Sequence, residues 1–462
     1  MKAELLTIFC AVVFFLLSLT KKPRVGIGLL LFLIPTANIP FSWNNFDVSF
    51  LVFSILSFLC GYFLCHAKHL PRTLHRIPYK MWLFLLLLML TISFCKLLLT
   101  GLDGAIETPE GNVVRSVTNF SSVLLSAYAI FILMNMRPST RMDIIYYIKW
   151  FLSSIVFLTL MVSLINIGAP VPYFMRPMEV IGSGPHQESI FIEGFGFHMR
   201  GLFTGYLGFI ENFSEYLFVI FGLSLILLCE AVSVYEKMYG LLCLCLSVLF
   251  SLFCGSKSFP FMAATMLIVP LFRFNLRNGL ILCTLTIAAV TCIWWIGEPL
   301  PLIERLMILQ QRYYFVERTV SADVLPYLIG RRDLLSYIPD AISAGGLFGV
   351  GPVVVHYLNG SWIPYHNLYY ALYLSFGLVG FVVFVCFFSV VLYDLLVVIK
   401  RDTLSNFGNY LFAIFLILLV EQIKVSAFRV PSGVLIWWFL ISLFALYITI
   451  VRSDSAMYRR GI

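Results

Sequence analysis

Residues 365–393 read YHNLYYALYLSFGLVGFVVFVCFFSVVLY, with an apolar run from Leu368 to Tyr393 that contains no charged residue. A helix needs about 20 predominantly apolar residues to cross the hydrocarbon core of a bilayer, so this run is long enough to span it. The segment before it, residues 298–365, is too long and too charged to lie in a bilayer. The sequence therefore predicts a membrane helix, with His366 where a long loop meets the membrane.

The composition of the whole chain agrees with this stretch. Of 462 residues, 61% are hydrophobic and 12% are charged, and the mean hydropathy is +0.96. These values exceed what the core of a soluble protein of this size uses. Because backbone exposed to lipid must satisfy its own hydrogen bonds, the spans must be helices. We predict an all-α, polytopic transmembrane helical protein with a long outer loop containing short helices.

Near-spanning apolar runs alternate with charged or Pro/Gly-rich segments. We expect the first run to be a span rather than a signal peptide, because Lys21-Lys22-Pro23-Arg24 follows it and no small-residue cleavage site does. The run containing Pro35 and Pro40 is weak, so twelve spans and thirteen both stay open. The candidate spans cover residues 3–20, 25–41, 47–65, 81–100, 116–136, 144–168, 206–229, 239–254, 259–272, 279–297, 366–393, 408–424 and 433–451.

The basic residues predict which side of the membrane each connection occupies. The net charge of +8 could indicate a nucleic-acid partner in a soluble protein, but here lysine and arginine gather in alternate connections, which is typical of cytoplasmic loops. These connections contain Lys21, Lys22 and Arg24; Lys68, Arg72, Arg76 and Lys80; Arg137 and Arg141; Arg273 and Arg277; Lys400 and Arg401; and Arg452, Arg459 and Arg460.

This sidedness divides the chain into six regions. Two long loops, residues 169–205 and 298–365, fall together on the outer, periplasmic face. Transmembrane helices occupy residues 1–168, 206–297 and 366–451, and residues 452–462 form a cytoplasmic tail.

The eleven cysteines all lie in or at the ends of apolar runs. We therefore expect small buried hydrophobic side chains rather than a disulfide framework.

The two outer loops contain seven arginines and no lysine. A planar guanidinium with five donors is preferred where a phosphate is gripped bidentately, so an anionic ligand is indicated. Alternatively, these arginines pair with the acidic residues of the same loops. The arginines are Arg176, Arg200, Arg305, Arg312, Arg318, Arg331 and Arg332.

Other residues that could bind or react with a substrate are also predicted to lie on the outer face. Lys257, in the hairpin Gly255-Ser256-Lys257-Ser258, can bind phosphate or can anchor the hairpin at the membrane interface. His366 can accept a proton, bind a diphosphate or simply cap a helix. Gly349 and Gly351 are typical of a structural turn.

The order of these motifs resembles a known family. Arg200-Gly-Leu-Phe-Thr-Gly205, the Gly-Ser-Lys-Ser hairpin, Gly330-Arg331, Gly349-x-Gly351, His366-Asn367 and Gly377-x-x-Gly380 are similar to motifs of the O-antigen polymerase and ligase superfamily. These bacterial membrane glycosyltransferases use undecaprenyl-diphosphate-linked sugars. The Glu211-Asn212 pair that follows the first motif is more similar to repeat-unit polymerases (Wzy) than to lipid A-core ligases.

The resemblance implies a metal-independent glycosyltransferase without a cofactor, located in the bacterial inner membrane with a periplasmic active face. Its implied partners are a lipid-diphosphate-linked glycan donor, a glycan acceptor, membrane lipids and a chain-length regulator protein. The implied catalytic residues are His366, Arg331 and Arg200, and the implied substrate-binding residues are Arg332, Lys257, Arg318, Arg312, Asn367 and Glu211.

Two other classes stay open. A ligase would transfer finished polymer from the same donor to lipid A-core. A transporter of lipid-linked oligosaccharide would carry ionisable residues or broken helices at mid-membrane. In the sequence, the candidates for such features are Lys96 and the Glu421/Lys424 pair.

Overall fold

The protein is an all-α, polytopic bundle of apolar helices. The computed structural model describes residues 2–20, 23–38, 42–43, 46–47, 49–66, 77–99, 113–135, 140–166, 210–254, 258–268, 346–349, 351, 355–358, 361–364, 368–402, 406–422 and 430–459. The helices before the first long loop are α1 (Lys2–Ser18), α2 (Pro23–Phe32), α3 (Phe50–His66), α4 (Lys80–Leu99), α5 (Val113–Asn135) and α6 (Arg141–Asn166). After it come α7 (Ile210–Glu230), α8 (Val234–Cys254), α9 (Ser258–Ile268), α10 (Leu368–Arg401), α11 (Phe407–Glu421) and α12 (Pro431–Arg459).

These helices coincide with the predicted spans, except that the predicted span 279–297 lies outside the described residues. Among the described residues, five helices are long and apolar enough to cross a membrane: α6, α7, α8, α10 and α12. The span that contains Pro35 is a ten-residue helix, α2, continued by a 3₁₀ helix over Ile34–Asn38. The final helix continues past residue 451, so the residues predicted as a tail extend α12 as far as Arg459.

Two short hairpins accompany the helices. Strand β1 (Ser42–Trp43) pairs antiparallel with β2 (Phe46–Asp47), and β3 (Val355–Leu358) pairs antiparallel with β4 (Ser361–Pro364). The second hairpin lies in the loop for which we predicted short helices. The described part of that loop therefore contains a β-hairpin, and the remainder of the prediction falls outside the described residues.

Helix α12 lies at the centre of the bundle. Of the residues in its most apolar stretch, 94% are buried within the protein, as expected of a helix that is apolar on every side. Trp438 packs against helices on both sides of α12. Its ring stacks on Phe387 of α10 at 5.9 Å and meets Tyr128 of α5 edge to face at 4.5 Å.

The cysteines that the structure describes are free thiols, in agreement with the sequence prediction. The predicted burial inside the protein is wrong for six of these thiols, which are exposed on the bundle: Cys60, Cys65, Cys95, Cys229, Cys245 and Cys386. Lipid is as apolar as a protein interior, so a small apolar side chain is equally stable on either side of a membrane helix.

One end of the bundle is tied together by ion pairs, and we call it the charged end. Arg24 at the start of α2 pairs with Asp143 near the start of α6. Arg141 pairs with Asp402 after α10 at 2.9 Å, and the Tyr447 hydroxyl of α12 donates to the same carboxylate at 2.7 Å. Four helices that are distant in sequence therefore meet at this end.

Two further residues join the charged end. Asp394 of α10 accepts hydrogen bonds from Arg452 of α12 at 2.5 Å and from Tyr79, just before α4, at 3.0 Å. Burial raises the pKa of the Tyr79 phenol above its ordinary value, and the Asp394 carboxylate adds to this increase. The arginines of the charged end, Arg24, Arg141 and Arg452, come from the connections that were predicted to lie on the cytoplasmic side. Each of them pairs with an aspartate at this end.

The opposite end holds the starts of α7, α10 and α12 and the ends of α4 and α11, and we call it the loop end. Asn38, which ends the 3₁₀ helix, makes two hydrogen bonds with Ser432 at the start of α12. Its amide Nδ2 donates to the Ser432 hydroxyl at 2.9 Å, and its Oδ1 accepts from the Ser432 backbone N–H at 3.0 Å. Along the chain, the described connections between helices lie in turn at the charged end and at the loop end. This agrees with the predicted alternation between connections rich in Lys and Arg and connections on the opposite face.

Candidate functional site at the loop end

Helix α10 is broken at Gly377, in the motif that the sequence analysis singled out. Its backbone has φ 69° and ψ −171°, a combination that is essentially restricted to glycine. Beyond the break, the Leu378 N–H donates to the Gly346 carbonyl at 2.9 Å and the Val379 N–H donates to the Leu347 carbonyl at 3.1 Å. A segment of the second long loop therefore supplies acceptors that an unbroken helix would have supplied itself.

The other side of the break is satisfied in the same way. The Ser375 carbonyl accepts the Gly351 N–H at 3.3 Å. Gly349 has a φ of 74°, and a Cβ placed on it would overlap the backbone of Ser375 and Phe376. The prediction that Gly349 and Gly351 are structural glycines is confirmed, because here one backbone packs directly against another.

Helix α4 supports this contact with two polar side chains. The Lys96 ammonium donates to the Gly349 carbonyl at 2.5 Å, and the Ser93 hydroxyl donates to the Ser375 carbonyl. Ser93 is 1% exposed, whereas Lys96 is half-buried. We call residues 346–349, 351 and 375–379, together with Ser93 and Lys96, the glycine junction.

A second polar group lies where α7 meets the end of α11. Gln422, which caps α11, donates through Nε2 to the Glu215 carboxylate Oε1 and accepts the Leu368 backbone N–H on its own carbonyl at 3.0 Å. Glu215 is 3% exposed and Gln422 is fully buried. The first residue of α10 is thereby tied to both α7 and α11.

Asn212 completes this group, one turn before Glu215 on the same face of α7. Its side chain is 2% exposed, yet neither Nδ2 nor Oδ1 has a hydrogen-bond partner. Leaving a buried amide without hydrogen bonds costs about 1–3 kcal/mol. We call Asn212, Glu215 and Gln422 the amide–carboxylate cluster.

The packing of α7 on α11 fixes the depth of this cluster. The two helices run antiparallel, since the backbone of Gly222 lies against Ile414 while Glu215 lies against Gln422. At 1.5 Å per residue, Asn212 lies about 4.5 Å beyond Glu215 along α7. Asn212 is therefore nearer the loop end of the bundle than Glu215, and both side chains are buried.

Most residues predicted for the site lie outside the described residues: Arg200, Lys257, Arg312, Arg318, Arg331, Arg332, His366 and Asn367. Glu211 belongs to α7, but the structure does not describe its side chain. The described residues give the framework around these positions. Leu368 directly follows His366-Asn367, and residues 346–351 follow Arg331 and Arg332 along the same loop.

Three residues of this framework had no predicted site role: Glu215, Gln422 and Ser93. A carboxylate inside an apolar run is itself a signal, because burying a charge in a membrane is costly unless a function or a partner retains it. Lys96 was noted only as a transporter feature, and its contact with Gly349 depends on residues far apart in sequence. Glu421 is half-buried at the end of α11, while Lys424 is not described.

Comparison of the chain with protein-family models finds no matching family, and comparison with curated proteins finds no similar sequence. Among the described residues, no three His, Cys, Asp or Glu side chains converge as a metal site. What the site can do must therefore be argued from its own residues.

Proposed function

We propose that the protein is a glycosyltransferase that polymerises undecaprenyl-diphosphate-linked oligosaccharide repeat units into O-antigen or a related surface polysaccharide. It acts at the periplasmic face of the bacterial inner membrane, without a metal or cofactor. The donor is the lipid-linked growing chain and the acceptor is another lipid-linked repeat unit. A chain-length regulator is its expected protein partner.

The observation that carries this proposal is the glycine junction. Residues 346–349 and 351 follow the arginine pair of the second outer loop in the chain. They are hydrogen-bonded to residues 375–379, which follow His366-Asn367. The two halves of the motif-bearing stretch are thus held against each other at the loop end. This arrangement supports a site in which arginines and a histidine from one loop act on one substrate.

The chemistry needs such residues. When an acceptor hydroxyl attacks the anomeric carbon, the carbon–oxygen bond to the lipid diphosphate breaks and the leaving diphosphate gains negative charge. Fixed guanidinium groups stabilise that charge. In this proposal Arg200 and Arg331 bind the diphosphate, assisted by Arg332, Lys257, Arg312 and Arg318. His366 acts as the base for the acceptor hydroxyl or as a diphosphate ligand, and Asn367 and Glu211 contact substrate.

A transporter of lipid-linked oligosaccharide is the second candidate, because α10 is broken at Gly377 and polar side chains are buried nearby. The break itself lies nine residues from the start of α10, which is about 13.5 Å and close to the midplane. The depth of the buried polar side chains, in contrast, favours the enzyme. Glu215 lies five residues from the start of α7 and Lys96 three residues from the end of α4, which is about 7.5 and 4.5 Å along each helix. The bilayer midplane is about 15 Å from the edge of the hydrocarbon core.

Deletion of the gene distinguishes the candidates by the glycan it leaves. Loss of a polymerase leaves single repeats that are still attached to the final carrier, so gel analysis should show core plus one repeat and no ladder. Bare core with lipid-linked polymer accumulating would identify a ligase instead. An unchanged ladder would reject both enzymes for lipopolysaccharide and would leave a transporter or another surface glycan.

A further inference from the structure

Lys96 is the charged member of the glycine junction, although a neutral donor holds the neighbouring contact. Two side chains of α4 donate to backbone carbonyls there: the Ser93 hydroxyl to Ser375, and the Lys96 ammonium to Gly349 at 2.5 Å. A hydroxyl is sufficient for the first carbonyl. Because an ionised group in a membrane helix is costly and commonly marks a functional site, the ammonium on the second carbonyl indicates a role beyond holding the junction.

The ammonium keeps its charge at a place that a ligand can approach. Lys96 is three residues from the end of α4 and is half-buried, so part of its surface is exposed. A lysine near the end of a membrane helix ordinarily extends toward water, whereas this one is directed to the loop segment. The Gly349 carbonyl uses one of the three N–H donors of the ammonium and does not neutralise its charge.

Exposed apolar side chains belong to the same junction. Leu347 is 59% exposed, Phe348 is 41% exposed and Leu378 is 47% exposed. Their backbones are part of the contact, since the Leu378 N–H donates to Gly346 and the Val379 N–H donates to Leu347. Leu347 and Phe348 lie in the loop segment rather than in a span, so their exposure is not simply that of a helix facing lipid. The junction therefore combines a cation with exposed apolar surface.

We propose that Lys96 binds a phosphate of the donor's polyprenyl diphosphate, and that Leu347, Phe348 and Leu378 contact the first isoprene units of its chain. A phosphate joined to an apolar chain matches both features of the junction, because lysine binds phosphate as a point charge and exposed apolar patches mark membrane or ligand contacts. This inference rests on the proposed function, and it adds a lipid-binding element to the donor site. Lys96 is a binding residue, and no proton transfer is assigned to it.

The test measures lipid binding rather than turnover. Full-length protein in phosphatidylcholine nanodiscs is titrated with undecaprenyl diphosphate, and the Kd is obtained from the rise in melting temperature. We expect the Kd to rise about tenfold or more in Lys96→Met, because one charge-assisted interaction is lost. Lys96→Arg keeps the positive charge and should stay within about threefold of wild type. Undecaprenol, which lacks the phosphates, should bind wild type and Lys96→Met equally well.

Two control variants separate the charge from the structure of the junction. Ser93→Ala removes a side-chain donor from the same junction without removing a charge, and Lys237→Met removes an exposed charge near the start of α8. Neither should change the Kd for undecaprenyl diphosphate by more than about threefold. Leu378→Ser leaves the lysine in place and tests the apolar contact, so it should weaken the binding of undecaprenyl diphosphate and undecaprenol alike.

The outcomes separate this inference from the proposed function. An unchanged Kd for undecaprenyl diphosphate in folded Lys96→Met, or an equal rise in the Kd for undecaprenol, overturns the phosphate assignment whether or not the deletion strain loses its ladder. Displacement of undecaprenyl diphosphate by equimolar phosphatidylglycerol would make this a site for any anionic lipid and would overturn the donor assignment. If the deletion strain keeps its ladder while Lys96→Met loses affinity as expected, the polymerase fails and the lipid-phosphate site stands.

Discussion

Replacing Gly377 by alanine tests the glycine junction most directly. The backbone at Gly377 adopts φ 69° and ψ −171°, where a residue with a side chain is strained by about 1–3 kcal/mol. In addition, a Cβ on Gly377 would overlap the backbone of Leu347 and Gly349. The two segments must separate to relieve that overlap.

Separating the loop segment from the residues after Gly377 also breaks hydrogen bonds. The bonds from Leu378 to Gly346 and from Val379 to Leu347 contribute about 0.5–1.5 kcal/mol each. With the backbone strain, Gly377→Ala should lower the free energy of unfolding by about 2–6 kcal/mol. Unfolding by SDS titration in mixed micelles measures this change, and polymer formation by the same preparation should fall with it.

Gly346→Ala is the control for backbone conformation alone. Gly346 has a φ of 53°, but a Cβ on it meets no atom within 4 Å. Its substitution should cost only the left-handed backbone penalty of about 1–2 kcal/mol. If Gly377→Ala unfolds with the free energy of wild type, or costs no more than Gly346→Ala, the close backbone contact described here is wrong.

Three further predictions concern side chains around the site. Lys96→Met should destabilise the protein to SDS by about 1.5–3 kcal/mol, because it removes a charged donor to the Gly349 carbonyl; an exposed lysine variant, Lys237→Met, should change little. Arg200→Lys and Arg331→Lys should leave membrane levels normal and lower polymerisation at least tenfold, since the bidentate fork is lost; wild-type turnover in both would remove them from the site. His366→Ala should abolish polymer, and substantial activity in His366→Gln would exclude a general base and leave binding.

The helices could be predicted from sequence because their signal is local. An apolar run of spanning length must be helical in lipid wherever it occurs, so the run after His366 and the buried α12 were both found without knowledge of their neighbours. The charged connections were predictable for the same reason. Each lies next to its own span, and the paired residues of the charged end, such as Arg24 with Asp143, belong to the connections predicted to face one side.

The framework of the site could be predicted only in part, because its contacts join residues that are distant in sequence. Gly349 and Gly377 were recognisable as positions where glycine is needed, but not as partners in one contact. Lys96 lies 253 residues from the carbonyl to which it donates. Glu215 was overlooked because the neighbouring Glu211-Asn212 pair carried the resemblance, although its depth in an apolar run was a signal of its own.

The break in α10 is compatible with a membrane only because the backbone groups it releases find partners. Breaking a helix frees a carbonyl before the break and N–H groups after it, and lipid can satisfy neither. Here Ser93 and Gly351 donate to Ser375, while the loop segment accepts from the residues after Gly377. The first part of α10 is therefore fixed at Leu368 by Gln422 and at its other end by the junction. This fixed segment begins directly after His366 and Asn367 in the chain, the two residues to which the proposed function assigns contact with substrate.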